Sequence, residues 1–308
     1  MDSMRERFTQ TTTDLLDERG DVVVVLADIG VAGFVESGAV GRHPERVINV
    51  GIREQLMIGL AGGLALEGMR PIVHSYAPFL VERPYEFLKL SLGHQDVDAV
   101  LVSIGASYDA AAEGRTHQAP GDVALVSLLP GWSVHVPGAA EEAELLFRFA
   151  VARGGRHYIR LSTEANTTTV TTEPGRVVPL RTGSLGLVVA VGPMLQPTLE
   201  AVEDMDVTVL YASTVLPFDG AALRAHLPRR SAIVLVEPYA AGTSAHQVSA
   251  YLSDIPHRLL SLGVGDAELR KYGTGEEHRA AHGLDAAGIR AGVVAFLEGA
   301  DQRGSAVR

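Results

Sequence analysis

The sequence predicts an α/β protein with two doubly wound domains, each built on a mainly parallel sheet with helices on both faces. Short runs of Val, Ile and Leu alternate with segments of helical length along most of the 308 residues. Continuous apolar runs bounded by turns are typical of fully buried parallel strands, and their alternation with helices is typical of doubly wound folds. A Thr-rich stretch without apolar periodicity interrupts this alternation once, which indicates a boundary between two domains.

The first domain is expected over residues 1–165. Five apolar runs predict its strands, at 21–28, 70–77, 97–105, 132–138 and 157–162. The segments between these runs include three of helical length, at 53–67, 78–92 and 139–152. The last of them contains EEAELLFRFAVA, in which apolar positions recur at the three-to-four spacing of an amphipathic helix.

Residues 166–182 are expected to form a linker, followed by a smaller α/β domain over residues 183–308. The linker begins NTTTVTTEP and has no sustained apolar period. Beyond it, four further apolar runs predict strands at 185–192, 206–213, 231–238 and 257–265.

Composition and charge exclude several classes of function. The net charge of −11 argues against a nucleic-acid or anionic-membrane surface, and the absence of cysteine excludes disulfides, cysteine-ligated zinc and thiol nucleophiles. The longest apolar run, 56–66, is shorter than the roughly 20 residues that span a bilayer, and the N-terminus lacks the apolar core of a secretory signal. We therefore expect a cytoplasmic enzyme that acts on a small molecule.

The stretch VINVGIREQLMIGLAGGLALEG, residues 47–68, places one carboxylate, Glu54, at the start of an apolar, glycine-rich helix. The helix macrodipole favours a carboxylate in the first turn by roughly 0.3–1 kcal/mol, which would explain an isolated glutamate. The motifs elsewhere in the chain decide between this explanation and a chemical one.

The order of several motifs resembles the C-terminal two-thirds of a transketolase, a thiamine diphosphate enzyme. The motifs are ADIG, INVGIREQLM, HSYAPFLVERPYEFLK, EGRTHQAPGD and YIRLS, followed by LPFD, VEPY and YGTGEEH. Each motif alone is weak, but their combined spacing makes the resemblance specific. It covers almost the whole chain and implies a pyrimidine-binding domain followed by the transketolase C-terminal domain.

The resemblance assigns a cofactor role to several residues. In this family the glutamate of the motif hydrogen-bonds N1′ of the aminopyrimidine, which implies that Glu54 is catalytic and binds the cofactor. Tyr76 and Phe79 match an aromatic pair that forms an apolar slot for the pyrimidine ring, although such pairs are also common in plain cores. Asp28 and Ile52 match positions beside the pyrimidine, and Asp28 equally suits a turn at a strand end.

The resemblance also implies residues that contact the substrate. His117, in EGRTHQ, matches a histidine that lies over the substrate, and imidazole suits proton transfer near neutral pH. Glu113 replaces the aspartate of that motif and is one methylene longer. We therefore expect His117 to be a second catalytic residue, with Glu113, His117 and Arg160 as substrate-binding residues.

One departure from the family pattern concerns the cofactor. The family's diphosphate-binding domain, with its G-D-G motif and a later asparagine, matches nothing in this sequence. Mg²⁺ needs oxygen ligands arranged together with the phosphates. The resemblance therefore implies a separate diphosphate-binding subunit that provides most Mg²⁺ ligands, in an α2β2 heterotetramer.

A second departure concerns the substrate. Transketolases hold a sugar phosphate with an arginine, a histidine and a serine, whose places here are taken by Thr163, Gly105 and Ala32. Losing the arginine removes a bidentate contact that threonine cannot replace. We hypothesise a sugar-like substrate that lacks the usual phosphate, unless another chain binds that phosphate or Arg115 and Arg160 compensate.

The favoured interpretation is a β-type subunit of a two-component transketolase-like transferase of carbohydrate metabolism, which moves a two-carbon ketol unit from a ketose to an aldehyde. Two other enzymes stay open: the β subunit of a 2-oxo-acid dehydrogenase, and a decarboxylating acyl-transfer enzyme, as in deoxyxylulose phosphate synthesis. The intact T-H-Q loop favours the transketolase over the dehydrogenase. A non-catalytic regulatory partner is a further alternative, and such a subunit would tolerate Glu54→Gln.

Overall fold

A computed structural model describes residues 3–171 and 173–305, and it contains two separate β-sheets. Parts of the predicted domains and linker, namely residues 1, 2, 172 and 306–308, lie outside the described residues. The predicted fold class is confirmed, because each sheet is mainly parallel and has helices on both faces.

The first sheet has seven strands: β1 (Val22–Leu26), β2 (Val47–Asn49), β3 (Arg70–Tyr76), β4 (Ala99–Ile104), β5 (Trp132–His135), β6 (Arg156–Arg160) and β10 (Thr214–Leu216). Their order across the sheet is β10-β5-β6-β4-β3-β1-β2. All pairings are parallel except that of β10, which runs antiparallel to β5. The interior strands are buried on both faces, and this explains their continuous apolar runs.

The helices of the first domain are α1 (Met4–Glu18), α2 (Val31–Glu36), α3 (Ala39–Arg42), α4 (Glu54–Leu66), α5 (Tyr85–Phe87), α6 (Asp122–Ser127) and α7 (Ala140–Arg153). Two π-helical segments, Pro78–Glu82 and Leu88–His94, flank α5. The predicted helix at 78–92 is therefore irregular, because Pro84 cannot donate a backbone hydrogen bond in its middle.

Alternate residues of β1 pack on opposite faces of the first sheet. Val24 packs with Phe8 of α1 and Phe147 of α7 on one face. Val25 packs on the other face with Met57 of α4. The side-chain period of two in a strand thus divides the buried residues between two helical layers.

The second sheet has five strands: β7 (Val177–Arg181), β8 (Leu187–Val191), β9 (Thr208–Ala212), β11 (Ala232–Ala240) and β12 (Arg258–Val264). Their order is β12-β11-β8-β9-β7, and only β7 is antiparallel to its neighbour. The helices around this sheet are α8 (Leu195–Ala201), α9 (Gly220–Ala225), α10 (Ala245–Tyr251), α11 (Gly275–Ala281) and α12 (Ala286–Ser305).

Three strands, β2, β7 and β10, lie outside the predicted apolar runs. β7 falls inside the predicted linker and forms one edge of the second sheet, since Val177 and Val178 pair with the end of β9. β10 follows β9 in the second domain but pairs with β5 in the first sheet. The chain thus crosses back to the first domain after its linker.

The stretch 275–299 has the length and mean hydropathy, 1.2, of a candidate membrane span, which is weak evidence because core helices pass the same test. It comprises α11 and the larger part of α12, which are separated by a turn at Gly283. Ile289 and Val293 of α12 are fully buried against the second sheet. This stretch therefore serves as a packing layer of the second domain.

Candidate active site

The predicted site residues lie around the carboxyl edge of the first sheet. Asp28 follows β1, Tyr76 ends β3, and the loop with His117 follows β4. In open α/β sheets, ligands bind at this edge because the connecting loops diverge there.

Glu54 is the first residue of α4, and it is only 4% exposed. Arg83 donates a hydrogen bond from Nη1 to Oε1 of Glu54 at 2.7 Å. Among the described residues, no donor reaches the other carboxylate oxygen. The carboxylate is therefore buried and held from one side, with one oxygen left to meet a ligand.

Three aromatic side chains form a cluster, which Arg83 connects to this carboxylate. The ring centroid of His117 lies 4.9 Å from that of Phe79 and 5.3 Å from that of Tyr76, and all these contacts are edge-on. Tyr76 and Phe79 are 6.1 Å apart. Sequence-distant segments thus bring together the predicted pyrimidine slot and the predicted substrate histidine.

Arg83 connects Glu54 to this cluster, and no sequence pattern singled it out. Its guanidinium carbon lies 3.8 Å from the centre of the Phe79 ring. The same side chain is paired with Glu54, so a planar group that carries N–H donors contacts both a carboxylate and an aromatic face. Its side chain is 43% exposed, so one side of it faces solvent.

The imidazole of His117 is oriented by its neighbour in the sequence. Oγ1 of Thr116 lies 3.0 Å from Nδ1 of His117. This contact leaves Nε2 as the nitrogen available to another group. His117 is half-buried in a short 3₁₀ turn, Arg115–His117.

Asp28 and Ile52 lie at the margin of the site. Asp28 has a left-handed backbone (φ +71°), which is uncommon outside glycine, and Nδ2 of Asn49 donates to its carboxylate at 3.1 Å. Ile52 is 71% exposed, immediately before α4. Their cofactor contacts stay predictions, and Asp28 has the turn geometry that its alternative role requires.

Glu113 and Arg160 are not part of the aromatic cluster. Glu113 is exposed, at the start of the loop that carries His117. Arg160 is 1% exposed, and its Nε donates to Asp122 at 2.7 Å while Nη2 donates to Ser107 at 2.7 Å. Arg160 therefore forms a structural ion pair with Asp122. Its contact with substrate stays a prediction, and the burial of its guanidinium does not favour such a contact.

A cavity of about 160 Å³ opens beside Tyr76, and two of the three positions that depart from the family's phosphate-binding pattern line it. Gly105 and Thr163 line it, together with Asp109 and Arg5. Burial raises the pKa of Asp109 to about 6. Hydrogen bonds from the backbone of Thr163 and the hydroxyl of Ser162 lower this pKa, but burial has the larger effect. No sequence pattern singled out Asp109.

The site offers carboxylate and aromatic groups but no metal-binding cluster. Within residues 3–171 and 173–305, His, Asp and Glu side chains do not gather in groups of three that could hold an ion. The residues present therefore fit a planar organic ring beside Glu54 better than a metal held by this chain.

The chain matches two family models in succession. Residues 2–168 match the transketolase pyrimidine-binding domain, and residues 175–294 match the transketolase C-terminal domain. Among curated proteins, the chain is 49% identical over 293 residues to an "Uncharacterized 33.6 kDa protein in fasciation locus" of Rhodococcoides fascians, covering 94% of this chain and 93% of that protein.

Other relatives are longer. A 1-deoxy-D-xylulose-5-phosphate synthase of Albidiferax ferrireducens is 31% identical over 303 residues, which cover 94% of this chain and 48% of that enzyme. The chain thus spans about half the length of such synthases. A solved structure described as "Split gene transketolase, inactive beta4 tetramer" superposes with a TM-score of 0.82 at 28% identity, and the match covers 96% of this chain and 98% of that one. On these matches and on its fold, the chain belongs to the transketolase family and comprises that family's pyrimidine-binding and C-terminal domains.

Proposed function

We propose that this chain is the β-type subunit of a two-component, thiamine-diphosphate-dependent enzyme that transfers a two-carbon ketol unit from a ketose to an aldehyde. The observation that carries the proposal is the buried carboxylate of Glu54, which Arg83 links to the cluster of Tyr76, Phe79 and His117. The substrate is a small sugar-like molecule. A partner subunit provides the diphosphate-binding domain and most ligands of Mg²⁺.

The contacts of Arg83 support the fit of an aminopyrimidine. A planar group with N–H donors already rests on Phe79 and pairs with Glu54. An aminopyrimidine ring needs the same two partners, an aromatic or apolar wall and a carboxylate. We infer that the Arg83 guanidinium withdraws toward solvent when the ring enters.

When bound, thiamine diphosphate supplies a carbon nucleophile and an electron sink for the transferred unit. Glu54 holds a proton with N1′ of the pyrimidine, and its burial excludes water from that contact. His117, with Nδ1 beside Thr116, directs Nε2 to a substrate oxygen and exchanges a proton with it. Glu113 binds substrate hydroxyls from the exposed end of the same loop.

The surface of α4 supports a partner subunit. Leu56 and Leu66 of this helix are 49% and 60% exposed, Ile52 just before it is 71% exposed, and Gly63 of the helix has open space around it. Phe87 and Leu90 extend the apolar surface. Apolar patches of this kind mark protein interfaces. We name Ile52, Leu56, Gly63, Leu66, Phe87 and Leu90 the α4 surface, and we assign it to the interface of an α2β2 heterotetramer.

The split-gene relative supports the requirement for a partner, because the assembly of four β chains is described for that protein as inactive. A second candidate activity is decarboxylating transfer from a 2-oxo acid. It is favoured by the synthases that match at about 30% identity over most of this chain. The two activities differ in the donor, a ketose or a 2-oxo acid.

Reconstitution tests the proposal. Calorimetry would measure binding of thiamine diphosphate and Mg²⁺ to this chain, to a candidate diphosphate-domain subunit and to their mixture, with turnover of ketose donors and of pyruvate measured in parallel. We expect tight binding and ketose turnover only in the mixture. Tight binding by this chain alone would contradict the two-component assignment, and turnover of pyruvate alone would select the second activity.

Glu54→Gln tests the catalytic role within that mixture. We expect turnover to fall by roughly 10²–10⁴-fold, the range of general acid–base catalysis. The exposed Glu86→Gln on α5 is the matched control and should retain turnover. Equal turnover of both variants would instead identify a non-catalytic subunit.

A further inference from the structure

We propose that the cavity beside Tyr76 binds an uncharged, hydroxyl-bearing end of the substrate, and that Asp109 determines this specificity by occupying the donors that would otherwise hold a phosphate. The proposal deepens the proposed function, on which it rests, because it assigns the substrate class of that same site. The cavity lies at the carboxyl ends of β3, β4 and β6 and shares Tyr76 with the aromatic cluster.

The first argument is that Asp109 already uses the anion-binding donors of the loop after β6. The hydroxyl of Ser162 donates to Oδ1 of Asp109 at 3.0 Å, and the backbone N–H of Thr163 donates to Oδ2 at 2.9 Å. Such a hydroxyl and N–H are the groups that bind phosphate oxygens in proteins. A carboxylate of the protein itself thus takes the position of the substrate anion.

The second argument is steric. Gly105 has φ +70°, and a Cβ atom built on it would lie 2.1 Å from Cδ1 of Tyr76. No side chain fits at this position while the Tyr76 ring stays in place. A cationic or hydrogen-bonding side chain at position 105, as the family uses for phosphate, is therefore replaced by an aromatic wall.

The third argument concerns charge. The charged side chains that line the cavity are Arg5 and Asp109, and nearby Arg160 is neutralised by Asp122 at 2.7 Å. A phosphate would bring up to two negative charges against the half-buried carboxylate of Asp109, with one exposed arginine to compensate. A hydroxyl avoids this repulsion and can donate to the remaining lone pairs of Asp109.

The volume agrees with a short chain. About 160 Å³ is below the range of roughly 300–1,000 Å³ that is typical of pockets for drug-sized ligands. The cavity therefore suits the few carbon atoms at the end of a small polyol or hydroxyaldehyde, rather than a nucleotide.

Asp109→Ser tests the proposal, because it removes the carboxylate and frees both donors. Inorganic phosphate would be titrated into the purified chain by calorimetry, a measurement that needs neither cofactor nor turnover. We expect Asp109→Ser to bind phosphate at least tenfold more tightly than the original chain. Glu203→Ser is the control, since it removes an exposed carboxylate before β9, outside the cavity. Equal phosphate affinity in all three proteins would overturn the proposal.

The reconstituted complex provides the second readout, the ratio of kcat/KM for glyceraldehyde over glyceraldehyde 3-phosphate as acceptors. We expect the original complex to favour glyceraldehyde, and Asp109→Ser to move the ratio tenfold or more toward the phosphate ester. A complex that favours the phosphate ester, or a ratio that Asp109→Ser leaves unchanged, would overturn the proposal while the proposed function stands.

If neither acceptor reacts but Asp109→Ser gains phosphate binding, the proposed function fails and the assignment of the cavity donors stands. Asp109→Asn provides a second variant in case the serine variant does not fold. It keeps the shape and one acceptor but removes the charge, so we expect a smaller shift of the same sign in both measurements. No shift with Asp109→Asn in that case would overturn the proposal.

Discussion

The buried side chain of Arg160 has a structural role because Asp122 is its ion-pair partner. Asp122 accepts hydrogen bonds at 2.7 Å from Arg160 and at 2.6 Å from the hydroxyl of Tyr158. Burial and the negative charge of Asp122 raise the pKa of Tyr158 well above its ordinary value, so the hydroxyl stays a donor. An arginine at the end of a strand resembled a substrate ligand, because nothing in the sequence marks a counterion 38 residues earlier.

Asp122→Asn should destabilise the protein by about 3–5 kcal/mol, because it leaves the Arg160 charge buried without a counterion. Denaturant unfolding measures this change. Asp96→Asn is the matched control: Asp96 pairs with Arg156 at 3.0 Å but is 88% exposed, and asparagine suits its left-handed backbone. The control should change the free energy of unfolding by less than about 1 kcal/mol. Similar losses in both variants would contradict the difference in burial.

Histidines buried as neutral rings should make stability depend on pH. Nε2 of His135 lies 3.0 Å from Nδ1 of His157, and Nδ1 of His135 lies 3.0 Å from the hydroxyl of Thr214. Burial, aided by the charge of His157, lowers the pKa of His135 from 6.5 to about 3. As the pH falls, His135 is therefore protonated at a higher pH in the unfolded chain than in the folded protein.

The stability contributed by neutral His135 is present above pH 6.5 and is lost as the pH falls toward 3, at about 1.4 kcal/mol per pH unit. Urea unfolding between pH 7.5 and 4.5 measures this slope. His135→Gln should reduce the slope by that amount, whereas the exposed His246→Gln should leave it unchanged. An unaltered slope in His135→Gln would show that other groups dominate.

At the scale of one element, α4 uses adjacent glycines for different purposes. A Cβ on Gly62 would lie 2.5 Å from the carbonyl oxygen of Ser91, so the helix and the π-helical segment Leu88–His94 pack backbone against backbone. A Cβ on Gly63 would meet nothing within 4 Å. The first glycine thus serves the interior of the domain, and the second faces outward on the α4 surface.

Gly62→Ala should therefore destabilise the chain by roughly 1–3 kcal/mol through overpacking. Gly63→Ala should stabilise the isolated chain by about 0.5–1 kcal/mol, since alanine loses less backbone entropy in a helix. Thermal and urea unfolding of the two variants compare them directly. The prediction fails if both substitutions change stability in the same direction.

Long buried elements were predictable from sequence, and short ones were not. The strands β1, β3 and β4 lie within the predicted runs because full burial makes them continuously apolar. β2 and β10 have three residues each, too few to show a period, and long-range pairing alone defines them. α1 was not predicted, because three buried threonines interrupt its apolar face and bond back to their own helix.

At the scale of the whole molecule, the site is assembled from segments that the sequence places far apart. The resemblance identified Glu54, Tyr76, Phe79 and His117, which the fold brings into one neighbourhood. It could not identify Arg83 or Asp109, whose importance comes from what they touch. Motifs record residue types at fixed spacings, whereas pairing across a sheet edge depends on tertiary packing.

The α4 surface leads to a prediction about assembly. Leu56→Glu should prevent association with the diphosphate-domain subunit, because it places a charge in the apolar interface, while the half-exposed position should keep the fold intact. Sedimentation of the mixture measures association. Leu145→Glu on α7 is the control, since that leucine is 42% exposed on the opposite side of the first sheet and should leave the complex unaffected. Full association of Leu56→Glu would place the interface elsewhere.

The antiparallel strand β10 limits how this protein can be divided. It belongs to the second half of the chain, yet Thr214 pairs with His135 and Leu216 with Val134 at the border of the first sheet. If the chain were cut in the segment 166–176, the first domain alone would lack β10. The edge of β5 would then expose unpaired backbone donors and acceptors, which promote aggregation. The two domains are therefore not interchangeable modules. If the C-terminal half is replaced by that of a relative, the three-residue strand β10 is replaced with it. The first sheet of the recombined protein then ends in a strand that comes from the relative.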